Sequence, residues 1–394
     1  MNRKFNRRTA LAQLSAATAS AWLMSNVRGW AAPVPATAAP AKTSWPSFRN
    51  GPQQRGLAGS TLSADPQLKW EFKSKDGWVA TSAIVGDHVY APALEGFLYC
   101  LDRESGKVLW KYRSIDDADE ATFAPGFKAA PLVTSSAVYV GDEDGVLHAV
   151  NRDDGSRLWK FATGAEIAGG VAVYEGNLLL ASHDSVLYCL DEQGAELWKF
   201  ETNDMINCSP AVAEHYTFLS GCDQMLRVID LRTGKEVRNV EMTSPLIASP
   251  ALVDEMLYVG AHAGDFVAVN WKSGEVVWRY EGKRQMPYHA SAAVTDNLVL
   301  VGNHDKLMHA IDRKTGKSVW TFTTRARIDS SAAVVGDRLY FGSGDGNLYG
   351  LNVSDGKQAW KFNAGKPVSC GIAVGENCMV AGEDDRNGAL RCFA

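Results

Sequence analysis

Residues 330–362, SSAAVVGDRLYFGSGDGNLYGLNVSDGKQAWKF, contain one complete structural unit. Ser331 to Val335 is a short apolar run without helical period. Gly336-Asp337 is a tight-turn dipeptide, and Leu339-Tyr340-Phe341 is a second run rich in β-formers. Gly344-Asp345-Gly346 turns the chain again before Leu348 to Leu351. Asn352 and Gly356 bracket a third turn, in which Asn bonds its own backbone and Gly accepts positive φ. Lys357 to Phe362 is a fourth strand. Four short strands joined by tight turns predict an antiparallel meander.

The unit recurs along the chain. Trp70, Trp110, Trp159, Trp198, Trp278, Trp320 and Trp360 stand in the phrases KWEF, LWKY, LWKF, LWKF, VWRY, VWTF and AWKF. Their spacings are 40, 49, 39, 80, 42 and 40, and the gap of 80 hides a degenerate copy, EVRNV, with Arg238 in place of Trp. A period near 40 is that of four-stranded propeller blades. Seven copies run from about residue 77 to 363. The tail from Val368 supplies three strands, and Leu68 to Lys73 supplies the missing fourth. The expected fold is all-β: an eight-bladed β-propeller of four-stranded antiparallel blades over residues 68–394. It closes by pairing the N-terminal strand with the C-terminal blade, which leaves no free edge around the ring. The tryptophans and turn glycines read as structural, packing between blades.

Residues 1–41 read as an address. Five basic residues and no acidic one fall there, with the pair Arg7-Arg8, an uncharged stretch from Thr9 to Val27, and A-x-A patterns ending at Ala38 and Ala41. This resembles a twin-arginine-type signal peptide, with cleavage expected near Ala38 or Ala41, although Ala10 stands where that motif has a large apolar residue; the alternative is a weak membrane anchor, which so polar a stretch would make poorly. Periplasmic or extracellular residence follows, with no membrane span in the mature chain; residues 42–67 form a lead-in. The chain has 40 basic and 45 acidic residues, and without the first 41 the balance is 35 against 45. So acidic a body argues against nucleic acid or an anionic membrane surface as the main partner, local basic patches aside.

Phrases such as LYCLDRESGKVLWKY and LYGLNVSDGKQAWKF, with the opening Trp45 to Pro52, resemble the pyrroloquinoline-quinone (PQQ) propeller repeat of exported bacterial proteins. That repeat occurs in quinoprotein dehydrogenases and in the propeller lipoprotein of the outer-membrane barrel-assembly machinery. In the dehydrogenases, the resemblance implies, a Trp and a disulfide of adjacent cysteines hold the quinone and a calcium activates it. This sequence has no adjacent cysteines, and one blade connection alone, Arg113 to Lys128, is extended. The expected function is therefore non-catalytic: a monomer binding a protein or cell-envelope component through one loop face, with no catalytic residues and no cofactor. The alternative is a PQQ- and calcium-dependent oxidoreductase. No Cys precedes Cys100, so the lipid-anchor residue of the assembly propeller is missing.

Residues unexplained by the repeat mark candidate sites. Aligned two positions before the small residue of each inner strand, Ala80, Lys128, Ala168, Asn207, Ile247, His289, Asp329 and Ser369 form a ring at one mouth of the axial channel. Lys128, Asn207, His289, Asp329 and Ser369 make a mixed polar ligand site or a solvated rim. His289 and Asp329, in consecutive blades, are placed to hydrogen-bond. His183, Cys222, His262 and His304 recur in turns of four consecutive blades. Turns well out from the axis would stand roughly 10 Å apart, against Zn–N bonds of about 2 Å, so no metal site is expected. The long connection carries Asp116, Asp117, Asp119, Glu120 and Phe123 and is the best place for a lid or partner contact. Trp271 is either an exposed contact or packed on the adjacent turn. Seven cysteines are scattered, and Cys378 with Cys392 is the pair to test for a disulfide.

Overall fold

The computed structural model describes residues 43–117 and 119–394. The signal-peptide reading of residues 1–41 lies outside these residues. Among them there is no helix, and 32 strands form eight four-stranded antiparallel sheets arranged as propeller blades. Blade 1 comprises Ala83–Val85, His88–Pro92, Phe97–Asp102 and Val108–Arg113, inner to outer. Blades 2 to 7 repeat this order over residues 132–162, 172–201, 211–241, 251–281, 293–323 and 333–363. Blade 8 is composite: Ala373–Gly375, Cys378–Gly382 and Ala389–Phe393 are completed by Leu68–Lys73, with Trp70 opposite Cys392. Both chain ends thus close the ring, as the repeat count requires.

The tryptophan repeat is a seam between blades. Nε1 of Trp70, Trp110, Trp159, Trp198, Trp278, Trp320 and Trp360 donates to a turn carbonyl of the following blade at 2.8–3.2 Å. The indole lies on the turn glycine: a Cβ on Gly356 would stand 2.5 Å from Trp320, and its φ of +69° is itself strained for other residues. Arg238, the degenerate copy, keeps half of this contact, donating to Ser273 O at 3.0 Å. The missing aromatic is replaced from the next blade. Trp271 is 7% exposed and packs 5.1 Å from Tyr216 and 5.3 Å from Phe218, so it is a packing residue and not an exposed contact.

Each blade also sends one apolar residue under its neighbour. Phe127, Ile167, Ile206, Leu246, Tyr288, Ile328 and Val368 are all buried, and Trp78 is the eighth, packed on Gly382. That contact fixes the register of blade 1. Val79, not Ala80, holds the mouth position there; the small-residue layer takes Thr81, although the neighbouring Ser82 resembles the serines of later blades.

Buried polar bracing accompanies the apolar core. His148 lies between Asp142 Oδ2 at 2.8 Å and Tyr112 Oη at 2.9 Å. Burial holds its imidazole below its ordinary value of 6.5, with Asp142 opposing. Below about pH 6.5 the unfolded chain takes a proton that the folded one resists, so stability declines as pH falls from there. Melting temperatures between pH 7 and 5 should fall, and less steeply in His148→Gln; an unchanged slope in the variant would remove His148 from the account.

All seven cysteines are free thiols. Cys392 stands opposite Val380, so Cys378 lies two positions along on the neighbouring strand rather than directly across; hydrogen bonding with Cys392 lowers the Cys378 thiol, with Arg103 adding to it.

Candidate axial site

The lead-in builds the floor of the site. From Trp45 to Ala58 the chain arcs across the inner strands. It accepts backbone hydrogen bonds from Ile84, Val133, Val212, Leu252, Val294 and Val334 at 2.7–2.9 Å. These belong to blades 1, 2, 4, 5, 6 and 7. Where it passes blade 3, an apolar cavity of about 410 Å³ lies between Pro46, Phe48, Pro52 and Val171 to Val173. Arg49 is 1% exposed, and its guanidinium donates to Ala332 O and, at 2.6 Å, to Ala292 O. Gln54 Nε2 donates to Pro210 O at 3.0 Å. The channel is therefore a blind well. No repeat signals this segment, so its role escaped the sequence reading; a charged Arg inside Trp-Pro-Ser-Phe-Arg-Asn-Gly-Pro was the available hint.

Above Phe48 lies a layer of small residues. Amides of Gly170, Ser209, Ser249 and Ser291 donate to hydroxyls of Ser209, Ser249, Ser291 and Ser331 at 2.7–3.0 Å, stitching consecutive blades. Lys128, Asn207, His289, Asp329 and Ser369 stand above them and line one cavity of about 160 Å³ with Val79, Ala168 and Ile247. The structure brings all five predicted residues together.

It corrects their surroundings. The turns between second and third strands are not remote from the axis; their side chains form an outer ring touching the inner one. Lys128 Nζ meets Glu143 at 2.8 Å and Glu166 at 3.5 Å. Burial opposes its charge, yet the two carboxylates raise its pKa overall. Asn207 Nδ2 lies 2.9 Å from Cys222 Sγ, and Ser369 Oγ donates to Asp384 at 2.8 Å. Asp329 takes His304 Nε2 at 2.6 Å and Arg327 Nε at 2.7 Å. The predicted His289–Asp329 hydrogen bond is absent, the atoms being 3.7 Å apart, because His304 occupies the carboxylate. A sequence alignment places a turn in its blade but not at a radius, which is why these partners were missed.

A polar cleft of about 390 Å³ adjoins the mouth, lined by His304, Lys306, Arg325, Arg327, Asp329 and Asp384. Replacing Lys128, Asn207, His289 and Asp329 together by Ala should cost under about 2 kcal/mol, at about 0.5 each for partly exposed sites. Urea unfolding checks this; a loss like that of a core tryptophan would make the ring structural.

Three overlapping stretches, residues 58–169, 143–289 and 283–383, match the family described as outer membrane protein assembly factor BamB. The chain belongs to that family. No curated protein matches it. Among solved structures it resembles BamB from Moraxella catarrhalis at 17% identity and TM-score 0.69, covering 83% of this chain and 97% of that one. The quinohemoprotein alcohol dehydrogenase of Comamonas testosteroni aligns at 12% identity and TM-score 0.76, over 90% of this chain and 81% of that one. A computationally designed protein, Ika8, aligns at 16% identity and TM-score 0.70, over 86% and 99%. At such identities the likeness is one of fold.

The well of this BamB-family propeller differs from the quinone pocket that the dehydrogenase resemblance implies. About 160 Å³ is below the 300–1,000 Å³ of ordinary ligand pockets, Phe48 closes the floor, and the seven free cysteines include no adjacent pair.

Proposed function

We propose that this chain is an exported, non-catalytic propeller that binds a protein or cell-envelope component through the loop face around the axial mouth. One observation carries the reading: Phe123, in the longest blade connection, is 80% exposed. Its loop is held in shape, since Arg113 donates to Asp119 O at 2.7 Å and Thr122 O at 2.6 Å, while Arg157 pairs with Asp116. A preformed loop presenting an aromatic pays little ordering entropy on binding. Met205 and Met286, also exposed, lie on the corresponding connections of later blades and extend the same face. Family membership agrees, the family being described as an assembly factor. Among the described residues no helix is long and apolar enough to cross a membrane. The export signal and a monomeric state are part of this proposal.

The test is capture of partners from a periplasmic and envelope extract with the mature protein. Phe123→Ala should weaken the captured complex tenfold or more while leaving the melting temperature unchanged. Repeated failure to enrich any partner, or capture indifferent to Phe123, counts against the reading. Stoichiometric uptake of PQQ with calcium and dye-linked alcohol or sugar oxidation would instead favour the oxidoreductase.

A further inference from the structure

We propose that His289, His304 and Asp329 bind one divalent transition-metal ion at the axial mouth, zinc fitting best. One ligand atom from each of the three lies within 4.8 Å of the others. Asp329 Oδ1 stands 2.6 Å from His304 Nε2 and 3.7 Å from His289 Nδ1. In a tetrahedral zinc site with bonds of about 2.0–2.1 Å, ligand atoms are roughly 3.3–3.4 Å apart. Two of the spacings straddle that value and the third is within 4.8 Å, so side-chain adjustments on the order of 1 Å close the site. The spacing rule that separates the turns does not apply, because the ion is shared between one turn residue and two members of the inner ring.

The arrangement around the three side chains is that of a supported ligand set. Arg327 Nε holds Asp329 Oδ2 at 2.7 Å, leaving Oδ1 for the ion. His289 stacks on His262 with ring centroids 5.7 Å apart and 22° between planes, and its ring lies 4.2 Å from that of His304. Lys128, Asn207, Asp329 and Ser369 each have a hydrogen-bond or ion-pair partner. His289 is different: its Nε2 is buried with no partner, and its Nδ1 is beyond hydrogen-bond distance of Asp329. Nδ1 is the nitrogen that faces Asp329, and an ion bound there supplies the partner that this nitrogen lacks.

Two imidazoles and one carboxylate are a borderline donor set. They select zinc, nickel or copper(II) over calcium and magnesium, which prefer oxygen alone. Three protein ligands leave a fourth position open at the well, beside the cleft of Lys306, Arg325 and Arg327. That cationic edge favours an anionic fourth ligand and makes the ion exchangeable, since Arg327 opposes a second positive charge.

The test uses the untagged exported chain stripped with a chelator. Zinc is titrated by calorimetry and cobalt(II) by visible absorption, with a hundredfold excess of magnesium present. The expected result is one ion per chain, the intense bands of four-coordinate cobalt, and a melting temperature raised by zinc. His289→Gln and His304→Gln should each weaken binding at least tenfold, while Cys222→Ser should not. Absence of stoichiometric uptake, or uptake that survives both histidine changes, overturns the proposal. Should either variant fail to fold, isosteric Asp329→Asn decides: full retention of binding by that variant overturns it equally.

Discussion

Trp360→Ala is expected to cost about 3–5 kcal/mol, the range for truncating a large buried side chain. Trp360 is 8% exposed and sits where blade 7 meets the composite blade. Its Nε1 donates to Pro66 O at 3.0 Å, just before the strand that the N-terminus adds to the sheet. Its ring meets Phe393 edge-on, at 5.4 Å between centroids. Truncation therefore removes apolar contact and an anchor of the ring closure at once. Trp159 makes the same type of hydrogen bond, at 2.9 Å to Glu192 O, but is only partly buried. Trp159→Ala should cost less, about 1–2 kcal/mol from a partial cavity and one lost hydrogen bond. Urea unfolding of both variants measures the difference. Hydrogen exchange should also show Leu68–Lys73 opening in the Trp360 variant. Equal losses in the two variants would mean that ring closure contributes nothing special at this seam.

That ranking marks what the sequence lacks. Seven tryptophans in one phrase look equivalent, and the period near 40, the turn residues and the split blade follow from them without coordinates. The repeat works as a signal because every blade solves the same problem, sheet against sheet, with the same Trp on the same glycine. Even Arg238 was recognisable by position. What the repeat cannot express is whatever departs from eightfold symmetry. Val79 was displaced by one because Thr81 and Ser82 both resemble the small-residue anchor. The partners of the mouth residues come from turns whose distance from the axis depends on blade tilt, not on spacing. His289, Asp329 and the other ring members were legible because they occupy one repeat position; His304 was seen at another, and their contact was not. The lead-in has no counterpart among the repeats, so nothing in the period pointed to its place on the axis.

Arg49→Ala tests that unrepeated segment, and an effect of about 3–5 kcal/mol is expected. Arg49 is a buried cation without a carboxylate partner; loss of water pushes its pKa down to about 9. Its guanidinium instead bridges Ala292 O and Ala332 O, the carbonyls of two neighbouring blades. Removing it relieves the burial of a charge, which favours the variant. Against this stand two buried carbonyls left unpaired, at about 1–3 kcal/mol each, and a cavity the size of the lost side chain. The second group wins because Ala fills none of that space. Arg49→Met fills most of it and removes the same charge, so it should recover roughly half of the loss. Gly56 supplies an independent check, since a Cβ there would stand 2.0 Å from Arg49 Nη2. Gly56→Ala should displace the guanidinium and reproduce much of the Arg49→Ala effect. In both, the arc from Trp45 to Ala58 should loosen, exposing Trp45 and Phe48 to chymotrypsin before the blades unfold. If the arc stays protected while stability falls, Arg49 supports the inner strands directly and the lead-in is held by its backbone hydrogen bonds alone.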